Sequence, residues 1–259
     1  MKKISILAMV VMVAVSCNQK KQELPKNADV LADNLKGHVE QTTATDYKVD
    51  STGKTGEQDS CCVVKVKYDA KGYITGYSSD NKAGTNKEEE TFAHYDNGAI
   101  KDIKNSKNGN LSSTISVRID KDGKYSGAEE YDSLNKMKFY YSGFSQNDYG
   151  QLTAMKKYNA DSTLSSTMSN NFDKQIYKGG EEKDSTGKII FSSIVKLDNK
   201  NNTIESDTKN VSKDSTTNKV TKYKYDSFDD KDNWTQRTEL NENSRPVKIV
   251  KRTITYYKK

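Results

Sequence analysis

Two histidines, three cysteines and one tryptophan are all that 259 residues supply of the side chains that most often perform catalysis, metal binding or ring stacking. His38 and His94 stand far apart, and His94 takes a strand position beside Tyr95, where an imidazole packs or meets water. Serine is abundant, but no serine sits in a nucleophile-elbow sequence. The adjacent Cys61 and Cys62 fit no zinc spacing. On a strand their side chains point to opposite faces, so free or intermolecular thiols are expected, with no redox or metal role. Glu88-Glu89-Glu90 reads as a solvated strand edge. Asp229-Asp230-Lys231-Asp232-Asn233 has the oxygens of a calcium loop but lacks the Gly and the distal Glu of the EF-hand spacing. No catalytic residue, metal or cofactor is therefore assigned. Aromatic faces remain: Trp234, with Tyr223 and Tyr225, can stack on a sugar ring or a peptide. The plainer role for Trp234 is to pack as an anchor of its repeat.

The elements that would position these residues begin after a processed leader. Lys2 and Lys3 precede an apolar run from Ile4 to Val15, too short for the roughly 20 residues of a membrane span, and small residues follow. Residues 1–16 read as a signal peptide. Ala14-Val15-Ser16 before Cys17 resembles the lipobox of bacterial lipoproteins, with Ala where Leu usually stands three residues before the cysteine. The resemblance implies that Cys17 is acylated and becomes the mature N-terminus, anchored in a membrane. Asn18 is not the Asp linked to inner-membrane retention, which points to the outer membrane. The acidic run of surface-exported lipoproteins is missing, and the leaflet stays open. Residues 17–36 are expected to form a tether, with a helical turn or two at Asn27–Lys36, where Leu31 and Leu35 are four apart and Asn27 is the cap.

Removing Lys2 and Lys3 takes the formal charge from +6 to +4, with 40 basic against 36 acidic residues. The charges are interleaved rather than blocked, which gives no reason to expect nucleic acid as a partner. From residue 37 onward the side-chain period is two. Cys62, Val64, Val66 and Tyr68 alternate with Val63, Lys65 and Lys67; Ile115, Val117 and Ile119 alternate with Ser116 and Arg118. Turns rich in Asp, Asn and Gly recur roughly every 11 to 16 residues, as short strands require. They include Asp69-Ala70-Lys71-Gly72, Asp96-Asn97-Gly98, Asp120-Lys121-Asp122-Gly123 and Asp226-Ser227. Apart from Pro246 the region lacks proline, as ladders demand, and no helix is available for parallel crossovers. The expected fold is all-β: an antiparallel meander of about 14 strands over residues 37–259, as a curled sheet, two layers or a barrel-like closure. Its core is expected to be a tyrosine-rich layer with hydroxyls at the margin. Lys65, Lys67, Lys222 and Lys224 fall on the other face, which argues against a lipid-facing barrel.

Tyr223-Lys224-Tyr225-Asp226, continuing to Asp232-Asn233-Trp234-Thr235, resembles the YD repeats of RHS-type proteins. Degenerate copies are Tyr68-Asp69, Tyr95-Asp96-Asn97-Gly98 and Tyr131-Asp132. Asp232 replaces the usual Gly before Asn233. With the lipobox, the Leu35-Lys36-Gly37-His38-Val39 opening and the Asn-Trp-Thr-x-Arg ending, the chain is similar to uncharacterised outer-membrane lipoproteins of Bacteroidota. The resemblance implies β-hairpin shells or scaffolds and no transferable active site. The expectation is a non-enzymatic, acyl-anchored envelope lipoprotein acting as a scaffold or interaction surface for an envelope protein. The alternative is a glycan- or peptide-binding module with a groove lined by Tyr223, Tyr225 and Trp234.

Overall fold

The Asp-rich punctuation has a single structural cause. At Asp69, Asp120, Asp132, Asp184, Asp198 and Asp229 one carboxylate oxygen accepts the backbone N–H groups two and four residues on. The Asp N–H itself donates to the carbonyl four residues later. The residue third after the Asp takes a left-handed backbone: Gly72, Gly123, Asn135, Gly187, Asn201 and Asp232. A short acidic side chain followed by Gly, Asn or, once, Asp in the left-handed position thus closes each of these six hairpins locally.

The computed structural model describes residues 23–50, 53–212 and 215–258. Cys17, the expected signal peptide and the first part of the expected tether lie outside the described residues. A short helix, α1 (Asp29–Ala32), precedes sixteen strands. These are β1 (Val39–Val49), β2 (Thr55–Tyr68), β3 (Ile74–Asp80), β4 (Lys87–His94), β5 (Ile100–Lys107), β6 (Asn110–Ile119), β7 (Tyr125–Asp132) and β8 (Met137–Gln146). They continue as β9 (Leu152–Asn159), β10 (Leu164–Asp173), β11 (Ile176–Asp184), β12 (Ile189–Leu197), β13 (Thr203–Val211), β14 (Thr216–Phe228), β15 (Trp234–Leu240) and β16 (Pro246–Tyr256). Each strand pairs antiparallel with its neighbours in sequence, and β16 pairs with β1 from Val39 opposite Tyr256 to Tyr47 opposite Ile249. The meander is therefore a closed barrel, and closure leaves no edge to aggregate.

Several sequence expectations are corrected. The strands number sixteen where about fourteen were expected, and β2 begins at Thr55, within the polar stretch after Ser51. Asp226-Ser227 is no turn: β14 runs through it to Phe228, and the turn comes at Asp229. Cys61 and Cys62 form a disulfide with each other. The ladder of β1 with β2 jumps from Val63 to Gln58, so the intervening residues leave the alternation that would hold the two thiols apart.

Residues 24–36, expected to belong to the tether and its helical turns, are folded into one mouth of the barrel. The Val30 N–H donates to the Gly72 carbonyl and the Leu35 N–H to the Val30 carbonyl. Asn27 does not cap α1; it accepts from the Tyr73 hydroxyl and donates to the Asn97 carbonyl. Val30, Leu35, Val39 and Tyr68 form the buried apolar cluster, with Leu24, Val66, Ile74, Ile254 and Tyr256 around it. The apolar centre is thus this plug and its collar, not a tyrosine layer spread along a sheet. A sixteen-stranded barrel is too wide for its own side chains to fill, so a plugged mouth leaves a lumen beyond it.

Alternation sorts the wall cleanly. Val64, Val66, Tyr225, Arg237 and Val250 face the lumen, while Lys65, Lys67, Lys222 and Lys224 face outward. A lysine facing lipid at mid-membrane costs about 2–4 kcal/mol, so an outer face carrying Lys65, Lys67, Glu89, Lys104, Glu181, Lys183 and Lys224 is built for water.

Candidate functional site

The lumen beside the plug divides into two cavities. The first, about 520 Å³, is lined by β5 to β10, with Asn27 and Asp29 of the plug as its floor. Its wall is mostly apolar: Ile103, Ile115, Val117, Phe144, Leu152, Met155 and Phe172. These residues meet because the inward positions of consecutive strands face each other across the ladder, as Ile103 does Ile115. The few polar groups nearby are satisfied. The Tyr141 hydroxyl donates to Glu130 at 2.6 Å, and the Tyr125 hydroxyl accepts from the Ile100 N–H at 3.0 Å. Burial is the main force pushing Asp29 up to about 6, against the lowering effect of the Ile74 N–H that it accepts at 2.7 Å.

The second cavity, about 630 Å³, is lined by β1 to β3 and β11 to β16, with Ala32 to Leu35 of the plug. Here charged and aromatic residues stand among Val64, Val66, Val195 and Val250 on the wall. The Arg237 guanidinium lies 4.6 Å from the Tyr223 ring centre and 4.8 Å from that of Trp234. Arg252 lies 3.7 Å from the same Trp234 ring and donates from Nε to the Trp234 carbonyl at 3.0 Å. Glu239 accepts from Arg237 at 3.1 Å and meets Lys248 at 3.1 Å; Lys248 also reaches Asp46 at 3.0 Å. Burial, and after it the neighbouring Arg237, brings the Arg252 guanidinium down to about 10. Asp33, hydrogen-bonded by the Tyr68 hydroxyl, is held toward its neutral form by burial.

The structure brings together Tyr223, Tyr225 and Trp234, the three residues singled out for ligand contact, on one stretch of lumen wall. Tyr225 lies 6.0 Å from Trp234 and donates to the Thr203 carbonyl at 2.8 Å. Cys17 lies outside the described residues. His94 stacks on Tyr73 at 5.4 Å, and burial lowers its pKa. Asp232 is held by Lys36 at 2.5 Å and Lys200 at 2.9 Å. Glu88 is exposed and meets Lys107 at 3.6 Å, Glu89 meets Lys87 at 2.6 Å, and Glu90 sits opposite Tyr77, which lines the charged cavity. Among the described residues no group of three His, Cys, Asp or Glu could hold a metal ion.

Sequence reasoning missed Arg237, Glu239, Lys248 and Arg252. Their signal was present: Lys248 and Arg252 stand in step with Val250, Ile254 and Tyr256, charges in the inward register of a strand.

No protein-family model matches the chain, and no curated protein is significantly similar to it in sequence. Among solved structures, a porin-like protein from Bacteroides uniformis superimposes with a TM-score of 0.53 at 11% identity, over 84% of this chain and 96% of that one. That likeness is one of fold. A crystal structure of TcdB2-TccC3-TEV aligns at a TM-score of 0.34 and 11% identity, over 80% of this chain and 11% of that one. A DUF1329 family protein from Desulfovibrio piger aligns at 0.20 and 8% identity, over 89% and 91%. Neither of these two carries an argument.

Proposed function

We propose that this chain is a non-enzymatic, lipid-anchored binding protein of the cell envelope that takes a small, mainly apolar molecule into its barrel. One observation carries the reading: a water-facing wall encloses a cavity of about 520 Å³ lined by Ile103, Ile115, Val117, Phe144, Leu152, Met155 and Phe172. That size and lining are those of small-molecule sites in general. Apolar surface left open inside a water-facing protein is costly unless something covers it. A pure scaffold has no use for such a space.

Anchoring by acyl chains on Cys17 rests on the lipobox resemblance, and the likeness to YD repeats rests on the sequence alone. Glu23 lies six residues on from Cys17, a reach of about 20 Å when extended. A lipid on Cys17 would therefore keep the plugged mouth near the membrane and the other mouth turned away. Cys17→Ser is expected to move the protein from the membrane to the soluble fraction, and unchanged partitioning would sink the anchoring.

Binding is tested with a neutral naphthylamine fluorophore whose emission rises in apolar surroundings. Saturable enhancement is expected with the full chain, and Met155→Glu, which sets a charge in the cavity wall, should weaken it about tenfold or more. Thr167→Glu, on the outward face of β10 opposite Lys156, should leave it unchanged. Absence of saturable enhancement, or equal binding by Met155→Glu, refutes the reading.

A further inference from the structure

The charged cavity is lined by Arg237, Lys248 and Arg252 and by Asp33, Asp46 and Glu239, but Asp33 is bonded by the Tyr68 hydroxyl and the ion pairs do not reach every cation. Lys248 is shared between Asp46 and Glu239, and Glu239 also holds one terminal nitrogen of Arg237. Arg237 Nε is buried without a hydrogen-bond partner. Among the described residues, Arg252 makes no ion pair; its one side-chain hydrogen bond goes from Nε to a backbone carbonyl. Both guanidinium carbons lie within 5 Å of the Trp234 ring centre, which sets them less than about 9 Å apart. Two like charges in a low-dielectric cleft repel, and both face a cavity of about 630 Å³.

Trp234 explains how the pair is held but not what it is for. Stacking on a ring fixes a guanidinium plane and turns its N–H edges away from the ring; Glu239 takes one terminal nitrogen of Arg237, and the Trp234 carbonyl takes only the Nε of Arg252. A planar fork with free edges is complementary to an oxyanion, which it grips through two parallel, charge-assisted hydrogen bonds. Crowding by these guanidiniums also makes the Trp234 ring a poor platform for a sugar. The glycan contact that the aromatic cluster suggests would then run through the arginines instead.

We propose that Arg237 and Arg252, positioned by Trp234 and Tyr223, bind the oxyanion of a small molecule that enters the charged cavity: a carboxylate, phosphate or sulfate group. The site lies on a different wall from the apolar cavity and stands whether or not that cavity takes a fluorophore. Arg252 supplies the unpaired charge. Arg237 supplies a second guanidinium on the same Trp234 ring, and Lys248 marks the cationic rim, tied down by Asp46 and Glu239.

The test is isothermal titration of the purified full chain, in low-chloride buffer, with sodium phosphate, sodium sulfate and sodium glucuronate. Saturable binding of at least one anion is expected, and the preferred anion names the group. Arg252→Gln and Arg237→Gln should each weaken it about tenfold or more, and Arg252→Lys, which keeps charge but loses the fork, by a smaller factor. Lys196→Gln, on the outer wall opposite Glu205, should leave it unchanged. If Arg252→Gln does not fold, Arg252→Lys and Arg237→Gln decide, and both must bind more weakly than the unaltered chain. No saturable binding by any of the three anions, or unaltered binding by both deciding variants, overturns the proposal.

Discussion

The two halves of the lumen are built from the same wall and hold opposite contents. From β5 to β10 the inward positions carry Ile103, Ile115, Val117 and Met155; around β14 to β16 and β1 they carry Tyr225, Arg237, Glu239, Lys248, Arg252 and Asp46. The outward positions do not differ in this way, since Lys104 and Lys156 on one side match Lys222 and Lys251 on the other. Strand geometry is indifferent to what fills the inner register. The difference therefore lies in what each half does: the apolar half offers surface with few hydrogen bonds of its own, whereas the charged half cross-links neighbouring strands through ion pairs.

The plug meets both halves, and its two attachments differ in depth. On the charged side Asn233 is 2% exposed and grips the plug backbone as a strand partner would, accepting from the Lys36 N–H at 2.8 Å and donating to the Lys36 carbonyl at 3.0 Å. It also donates to the Tyr256 hydroxyl at 2.8 Å. On the apolar side Asn27 makes two bonds at a wetter site, to the Asn97 carbonyl at 3.1 Å and from the Tyr73 hydroxyl at 3.0 Å. Leaving buried partners unmet costs more than losing bonds that water replaces. Asn233→Ala should cost about 3 kcal/mol and Asn27→Ala about 1 kcal/mol in urea unfolding, with the larger loss accompanied by faster amide exchange at Lys36. Equal losses would show that the plug is held evenly and that the two halves do not differ in rigidity.

The exterior and the turns were legible in the sequence for a physical reason. An Asp that accepts N–H groups two and four residues on, followed by Gly72 or Gly123 in a left-handed backbone, is a local device and needs no tertiary partner. Even the departure of Asp232 from Gly had its reason within reach: a carboxylate at that position can reach both Lys36 and Lys200. Barrel-like closure was one of three alternatives the sequence left open, and nothing chose among them, since pairing Tyr47 with Ile249 spans the whole chain and leaves no mark on either strand's pattern. The plug was hidden in the same way. Leu31 and Leu35 read as a stray helical turn, and only the barrel mouth makes Val30 and Leu35 core. The arginine pair was passed over because charges in a strand are ordinarily assigned to the solvent face; Arg252 shares the inward register of Val250 and Ile254, and that register outweighs residue type.

Asp29 sharpens the comparison by placing a titratable group at the floor of the apolar half. Its folded value of about 6 stands above the ordinary 3.8 of an aspartate, raised chiefly by burial. A raised carboxyl binds its proton more tightly folded than unfolded. Its contribution to stability is therefore complete below about pH 4 and is lost as the pH climbs through 6. The swing amounts to about 2 kcal/mol, allowing for partial solvation. Asn at this position has no charge to desolvate and can still accept the Ile74 N–H, so Asp29→Asn should match the unaltered chain near pH 4 and exceed it by about 1–2 kcal/mol at pH 7.5. Asp33, whose carboxyl is raised in the same direction, leaves a slope in both proteins, so the informative quantity is the difference between their urea midpoints at each pH. A difference that stays constant from pH 4 to 7.5 would mean that water reaches Asp29 freely and that the floor of the apolar cavity is open.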